Sequence, residues 1–112
     1  MKISVLELTI PFKSAFSHAS FTRNETESFF VTVQFNGVTG YGESCPRDYV
    51  TQESIESCKV FLNENQDAIK DLTDLSSLEK WVNRNQTAID GSPASWCAIE
   101  MAILDVFAKL KN

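Results

Sequence analysis

The stretch from Ser92 to Asn112, SPASWCAIEMAILDVFAKLKN, limits the possible folds more than any other part of the chain. Ser92 offers a hydroxyl that can cap a helix, and Pro93 suits the first helical position, where its missing N–H costs nothing. Good helix formers follow without Gly or Pro, so the pattern predicts a helix of about 18 residues, roughly 27 Å long. Its apolar residues, from Trp96 and Cys97 through Ile99, Met101, Ile103 and Leu104 to Val106, Phe107 and Ala108, fall on every side. A helix that is apolar all round is covered on more than one face. Glu100, Asp105 and Lys109 lie within it and its apolar run is short, which argues against a membrane span. The expectation is a central helix with other elements packed on both sides.

What surrounds that helix must be small. The chain has 112 residues, enough for one domain and one modest core. Its 43% hydrophobic and 22% charged content fits a folded globule. The formal net charge of -5, with no Lys/Arg cluster, argues against a nucleic-acid partner. Met1-Lys2-Ile3-Ser4 opens without the apolar core of a signal peptide. Cys45, Cys58 and Cys97 are odd in number and widely spaced, a pattern of a reducing cytoplasm and of small apolar fillers rather than a disulfide framework. The glycosylation triplets at Asn24 and Asn85 then read as chance matches.

Residues 2–10 read as a strand ended by Pro11. Ile3 and Val5 have one parity, and Leu6, Leu8 and Ile10 the other, which predicts a bulge or cover on both faces. Residues 11–26 lack a clean period and read as a long connection carrying Phe12, Phe16, Phe21 and His18; loops this long are usually functional. In 27–36, Phe29, Val31, Val33 and Phe35 alternate with Phe30, Thr32 and Gln34 as in a strand. Asn36-Gly37 predicts a type I′ hairpin turn into a return strand over 38–44. A second loop, 45–50, leads to Thr51 as cap of a helix with Ile55, Cys58, Phe61 and Leu62 on its apolar face. Residues 64–71 add a short helical turn. Asp74 or Ser76 caps a further helix with Leu75, Leu78, Val82 and Ile89 on one face, and Gly91 ends it. The predicted fold is α+β: a three-stranded antiparallel meander over about 2–44, then three or four helices over about 51–111, in a single domain 1–112.

Catalytic constellations are missing from this order. His18 is the only imidazole, and neither a CxxC nor an HExxH spacing occurs. Gly37, Gly40 and Gly42 belong to the hairpin and its strand, not to a phosphate loop. A Ser-His-Asp triad around His18 has no defined partners. Glu43, Asp48, Glu100 and Asp105 are scattered, and Glu100 reads as a hydrogen-bonded structural carboxylate. No catalytic residue and no metal ligand is assigned.

Four stretches nevertheless form a familiar series. They are Pro11-Phe12-Lys13 before a variable loop; Gly40-Tyr41-Gly42-Glu43 followed by Pro46-Arg47; Tyr49-Val50-Thr51 opening a helix; and Ala98-Ile99-Glu100-Met101-Ala102 with Asp105. In this order and spacing the whole chain resembles the N-terminal capping domain of the enolase superfamily, in the muconate-lactonizing and dipeptide-epimerase branch. The Cys45-Pro46-Arg47-Asp48-Tyr49-Val50-Thr51 loop looks most like dipeptide epimerases. The resemblance implies a cap that is followed, in the full-length family, by a (β/α) barrel. That barrel carries the lysine bases and the Mg²⁺ ligands, so no cofactor is expected in this chain. It further implies that two cap loops, near 14–24 and 45–50, close over the barrel mouth and contact a small carboxylate or dipeptide substrate.

Phe16, Ser17, His18, Phe21, Arg47 and Tyr49 are then the candidate substrate-facing residues. Ser17-His18 stands where epimerases for acidic dipeptides can carry an arginine, which counts against an acidic-dipeptide substrate. Two functions fit: the specificity cap of an isomerase, present here without its barrel and inactive alone, or a self-standing binding or assembly module that keeps the cap fold. Without a barrel, some of Trp96, Met101, Leu104, Phe107 and Ala108 should face water, which predicts a homo-oligomer.

Overall fold

The computed structural model describes the backbone of residues 1–18 and 21–111 and the side chains of residues 1–6 and 27–111. Three strands, β1 (Lys2–His18), β2 (Phe21–Phe35) and β3 (Val38–Ser44), are followed by α1 (Asp48–Thr51), α2 (Ile55–Lys70), α3 (Leu75–Arg84), α4 (Gln86–Asp90) and α5 (Pro93–Leu110). The strands form an open antiparallel sheet in the order β1-β2-β3. This is the α+β meander-then-helices order that the patterning predicts, with α1 and α4 as pieces of about one turn. No helix among the described residues is long and apolar enough to cross a membrane.

The turn between β2 and β3 has the expected geometry: Asn36 and Gly37 take φ of 49° and 82°, and Phe35 pairs with Val38. The first two strands run further than expected. Residues 11–26 are not a free connection; their backbone pairs along the hairpin to His18↔Phe21, with a register shift between Pro11 and Phe16. Pro11 does not end β1, because β1 is an edge strand, where a missing N–H costs no ladder bond. Ladder bonds use backbone groups alone, so this pairing leaves no hydrophobic period to read. Neither the bulge nor the two-sided cover that the parity switch at Val5 and Leu6 predicts is found there: the register shift lies between Pro11 and Phe16, and Leu6 is exposed.

One face of the sheet carries the core. Phe29, Val31 and Val33 are fully buried beneath α5, whose Ala98, Ile99, Ala102, Ile103 and Val106 are also fully buried. Two glycines set how near the layers come. A Cβ on Gly40 would overlap the Ala102 carbonyl and lie 2.8 Å from Val106 N; one on Gly42 would overlap the Ala98 carbonyl and lie 2.8 Å from Ala102 N. Small residues at every fourth helical position thus meet glycines at alternate strand positions, and backbone rests on backbone. The opposite face is open: Leu6 is 55% and Tyr41 50% exposed, and the Tyr41 ring lies 6.0 Å from that of Phe30.

The outward edge of β3 is tied to α5. Asp105 Oδ2 accepts from the Tyr41 N–H at 3.0 Å, and Lys109 Nζ donates to the Thr39 carbonyl at 2.7 Å. Lys109 also pairs with Asp105 at 3.0 Å. These bonds occupy edge groups that would otherwise invite another strand.

Several local expectations need correction. Ser54, not Thr51, caps α2, in a capping box with Ser57, because Thr51 closes α1. Residues 64–71 form no separate turn; α2 runs unbroken to Lys70, since nothing between Asn63 and Lys70 breaks a helix. Asp74 caps α3 through the Ser77 N–H at 2.8 Å, as one of the two alternatives held. Gly91 follows α4 at φ −80°, without the left-handed turn a C-terminal glycine usually supplies. Ser92 makes no side-chain cap bond. Central α5 is not covered all round either: Trp96 and Phe107 are buried, but Met101 and Leu104 are 45% and 40% exposed, and Cys97 and Ala108 join them in the open.

Candidate functional site

The two segments predicted to face a substrate leave the sheet at the same end. Ser44, the last residue of β3, pairs with Phe29, so the ladder from Ser28 back to Phe21 extends beyond it toward the hairpin end. The 45–50 segment starts there, and Ser28 Oγ and Cys45 Sγ lie 3.5 Å apart across the junction. Phe16 pairs with Arg23, Ser17 with Thr22 and His18 with Phe21 along the hairpin backbone. The side chains of these four candidates, Phe16, Ser17, His18 and Phe21, lie outside the described residues.

Arg47 and Tyr49 are both half-buried. Pro46, buried, ends the extended chain, and Arg47 takes the extended N-cap position of α1 at φ −136°. The Arg47 carbonyl accepts from the Val50 and Thr51 N–H groups, and its guanidinium reaches the Pro46 carbonyl at 3.4 Å. Val50 is 67% exposed on this turn, an apolar side chain held in the open. Gln52 ends α1 at φ 60°, a left-handed conformation that costs a non-glycine residue roughly 1–2 kcal/mol.

That reversal delivers Glu53 to the first turn of α5. A helix N-terminus leaves N–H groups unpaired, and Ser92 satisfies none of them with its side chain. Glu53 does: Oε1 accepts from the Ala94 N–H at 2.8 Å, and Oε2 from the Ser95 N–H at 2.9 Å and the Ser95 hydroxyl at 2.7 Å. Glu53 is 3% exposed and Ser95 fully buried. Burial would push the Glu53 carboxyl up, but the bonds from Ala94 and Ser95 together outweigh it and hold the group below the ordinary carboxylate value. The Cys58 thiol nearby is pushed up, chiefly by burial, with a Ser95 hydrogen bond opposing and the Glu53 charge adding to the rise.

Sequence reading missed Glu53 and Ser95, because the contact spans 41–42 residues and no local motif marks it. Glu100 is a structural carboxylate, as expected: it accepts from the Trp96 indole N–H at 3.0 Å. Of the three thiols, only Cys58 fills the core; Cys45 and Cys97 are exposed, at the end of the sheet and on the open side of α5. Among the described residues no three His, Cys, Asp or Glu side chains converge on a point that could hold a metal.

No protein-family model matches the chain. Over 110 residues it is 26% identical to the L-Ala-D/L-Glu epimerase of Bacteroides thetaiotaomicron, a match that covers 98% of this chain and 28% of that protein. Over 105 residues it is 30% identical to the L-Lys-D/L-Arg epimerase of Desulforapulum autotrophicum, covering 93% of this chain and 28% of that one. The fold matches a substrate-liganded L-Ala-D/L-Glu epimerase from Bacillus subtilis with a TM-score of 0.86 at 23% identity, over 98% of this chain and 31% of the other. The chain therefore spans a little over a quarter of the length of the curated relatives it matches.

Proposed function

We propose that the chain is the N-terminal capping domain of an enolase-superfamily enzyme, in the muconate-lactonizing and dipeptide-epimerase branch, and that its 112 residues act as the specificity cap of a Mg²⁺-dependent epimerase or related isomerase. Its substrate would be a dipeptide or another small carboxylate. The observation that carries this reading is the convergence of the hairpin end, the 45–50 segment and the α5 N-terminus at one end of the sheet. Three independent stretches can there present side chains to one bound molecule. The curated relatives differ in the dipeptide they are named for, so the reading stops at the substrate class.

In this reading Arg47 offers a guanidinium to a substrate carboxylate, a pairing stronger than a neutral hydrogen bond. Tyr49 and Val50 offer apolar surface that keeps water from the bound molecule. His18 has an imidazole that can pair with a carboxylate, and Phe16, Ser17 and Phe21 belong to the same segment. Bound Mg²⁺ would stabilise charge beside the substrate carboxylate. In this reading the ion would be held by the barrel that the resemblance implies for the full-length enzyme. The surface for that barrel includes the open side of α5, where Cys97, Met101, Leu104 and Ala108 follow each other in steps of four, three and four, the seam spacing of paired helices. Three cysteines outside any disulfide fit a reducing cytoplasm.

A second reading, a self-standing module that keeps the cap fold, has one observation in its favour: Trp96 and Phe107 are 5% and 8% exposed without any partner. The coding sequence after Asn112 separates the two, since the first requires spaced lysines and acidic metal ligands. The activity test is α-proton exchange of dipeptides in D₂O with Mg²⁺, followed by NMR. We expect none from the 112-residue chain and exchange once it is joined to its barrel. In the joined enzyme, Arg47→Ala and Tyr49→Ala should raise KM and leave kcat within a few fold. Exchange by the chain alone would overturn the assignment.

A further inference from the structure

We infer that Glu53 is a positioning residue for the segment 45–52: its carboxylate clasps the segment to α5 and so fixes where Arg47 and Tyr49 are held. Its functional consequence rests on reading that segment as the specificity loop; the clasp itself rests on geometry alone.

Both ends of the segment are fastened to the same peptide units. At the start, the Ser44 hydroxyl donates to the Ala94 carbonyl at 2.7 Å. At the end, Glu53 takes the Ala94 N–H, the Ser95 N–H and the Ser95 hydroxyl. Between these fixed points packing is light: α1 has no buried residue, Pro46 is the one buried residue from 45 to 52, and the Arg47 side chain reaches the Pro46 carbonyl rather than capping the helix. The carboxylate ties the end of the turn to α5, and the Ser44 hydroxyl ties its start. The left-handed Gln52 supports the same view, since a strained residue persists only where its surroundings force it.

The chemistry calls for a carboxylate. Three donors converge on two oxygens that only accept, and the unpaired N–H groups of a helix N-terminus favour negative charge. A glutamine of the same shape has one accepting oxygen, and its amide N–H₂ would face a donor. Glu53→Gln thus keeps the volume and removes the clasp.

The test uses the 112-residue chain and residue-resolved amide exchange by NMR. In Glu53→Gln, exchange at Asp48–Gln52 should rise at least tenfold, while Cys58–Leu62 and Ile99–Ile103 stay within threefold of the wild type. The Ala94 and Ser95 amide protons, shifted downfield by the charged acceptor, should move upfield. If Glu53→Gln does not fold, Ser95→Ala removes one bond of the three and should show a smaller change at the same residues. A uniform rise across the chain, or no rise at Asp48–Gln52, would overturn the inference. The specificity reading fails separately: a loop released in Glu53→Gln, with Arg47→Ala silent in dipeptide KM, keeps Glu53 as a positioning residue and removes the substrate role. An unmoved loop with an altered KM does the reverse.

Discussion

Gly42→Ala adds one carbon where α5 and β3 touch, and its cost can be worked from the packing. The new Cβ would overlap the Ala98 carbonyl oxygen, lie 2.8 Å from Ala102 N and 3.0 Å from Ala98 C. Each of these atoms is backbone, so no rotamer change relieves the clash. The helix must lift by on the order of 1 Å to restore ordinary contact; a gap of that size forfeits a quarter to a half of the dispersion attraction across it. That loss falls on Phe29, Val31, Ile99 and Ile103, all fully buried. Overpacking alone costs about 1–3 kcal/mol, and with the lost contacts we expect roughly 3–4 kcal/mol. A chain of this length has about 6–17 kcal/mol in total. Urea unfolding followed by the fluorescence of Trp81 and Trp96, with a slope near 2 kcal/mol/M, should show the midpoint falling by about 1.5–2 M. Ala98→Gly should not rescue the variant, because the atom met is the Ala98 carbonyl, which glycine retains. Gly91→Ala is the control: at φ −80°, a Cβ there meets only the Ala88 and Thr87 carbonyls at 3.6 Å. It should be neutral, or stabilising by up to about 1 kcal/mol. A Gly42→Ala midpoint within 0.3 M of wild type, on the order of the scatter in such fits, would show that the layers are not in backbone contact.

Three further outcomes are expected. The Glu53 carboxyl sits below its ordinary value of 4.5 when folded, so its contribution is present above that pH and lost as pH falls through the depressed folded value; acid unfolding curves should lose this component in Glu53→Gln. Asp105→Ala removes the acceptor for the Tyr41 N–H at the β3 edge, and amide exchange should quicken at Tyr41 while the β1–β2 ladder at Ser4 and Thr32 is unchanged. Light scattering at micromolar concentration should find the isolated chain self-associated through the open side of α5, and Leu104→Glu monomeric, because Met101 and Leu104 are 45% and 40% exposed on one seam; a wild-type monomer would favour the self-standing module.

What the sequence determined alone lies where cause and effect are a few residues apart. The alternation of Phe29, Val31 and Val33 identified the central strand and its buried face. Asn36-Gly37 fixed the turn, because both positions take positive φ. The Asp74–Ser76 stretch marked the start of α3, with the choice of Asp74 as cap left to the structure, and Ser92-Pro93 located the start of α5 even though the Ser92 hydroxyl caps nothing. The order of short motifs carried the resemblance to enolase-superfamily capping domains, although no single motif is specific. Tertiary structure decided the remainder. Gly40 and Gly42 look like ordinary strand glycines until Ala98 and Ala102 come within backbone contact of them. The true cap of α5 is Glu53, 41 residues upstream of Ala94, and no period or cap motif in the intervening chain announces it. Trp96 and Phe107 read as exposed as readily as Met101 and Leu104. They are buried because α5 turns that side inward, with Trp96 4.9 Å from the Trp81 ring. The pairing of 11–26 was invisible because its bonds run between backbone groups, which every sequence possesses. Local patterns report short-range sterics and burial period; which distant donors and surfaces meet depends on the packed chain.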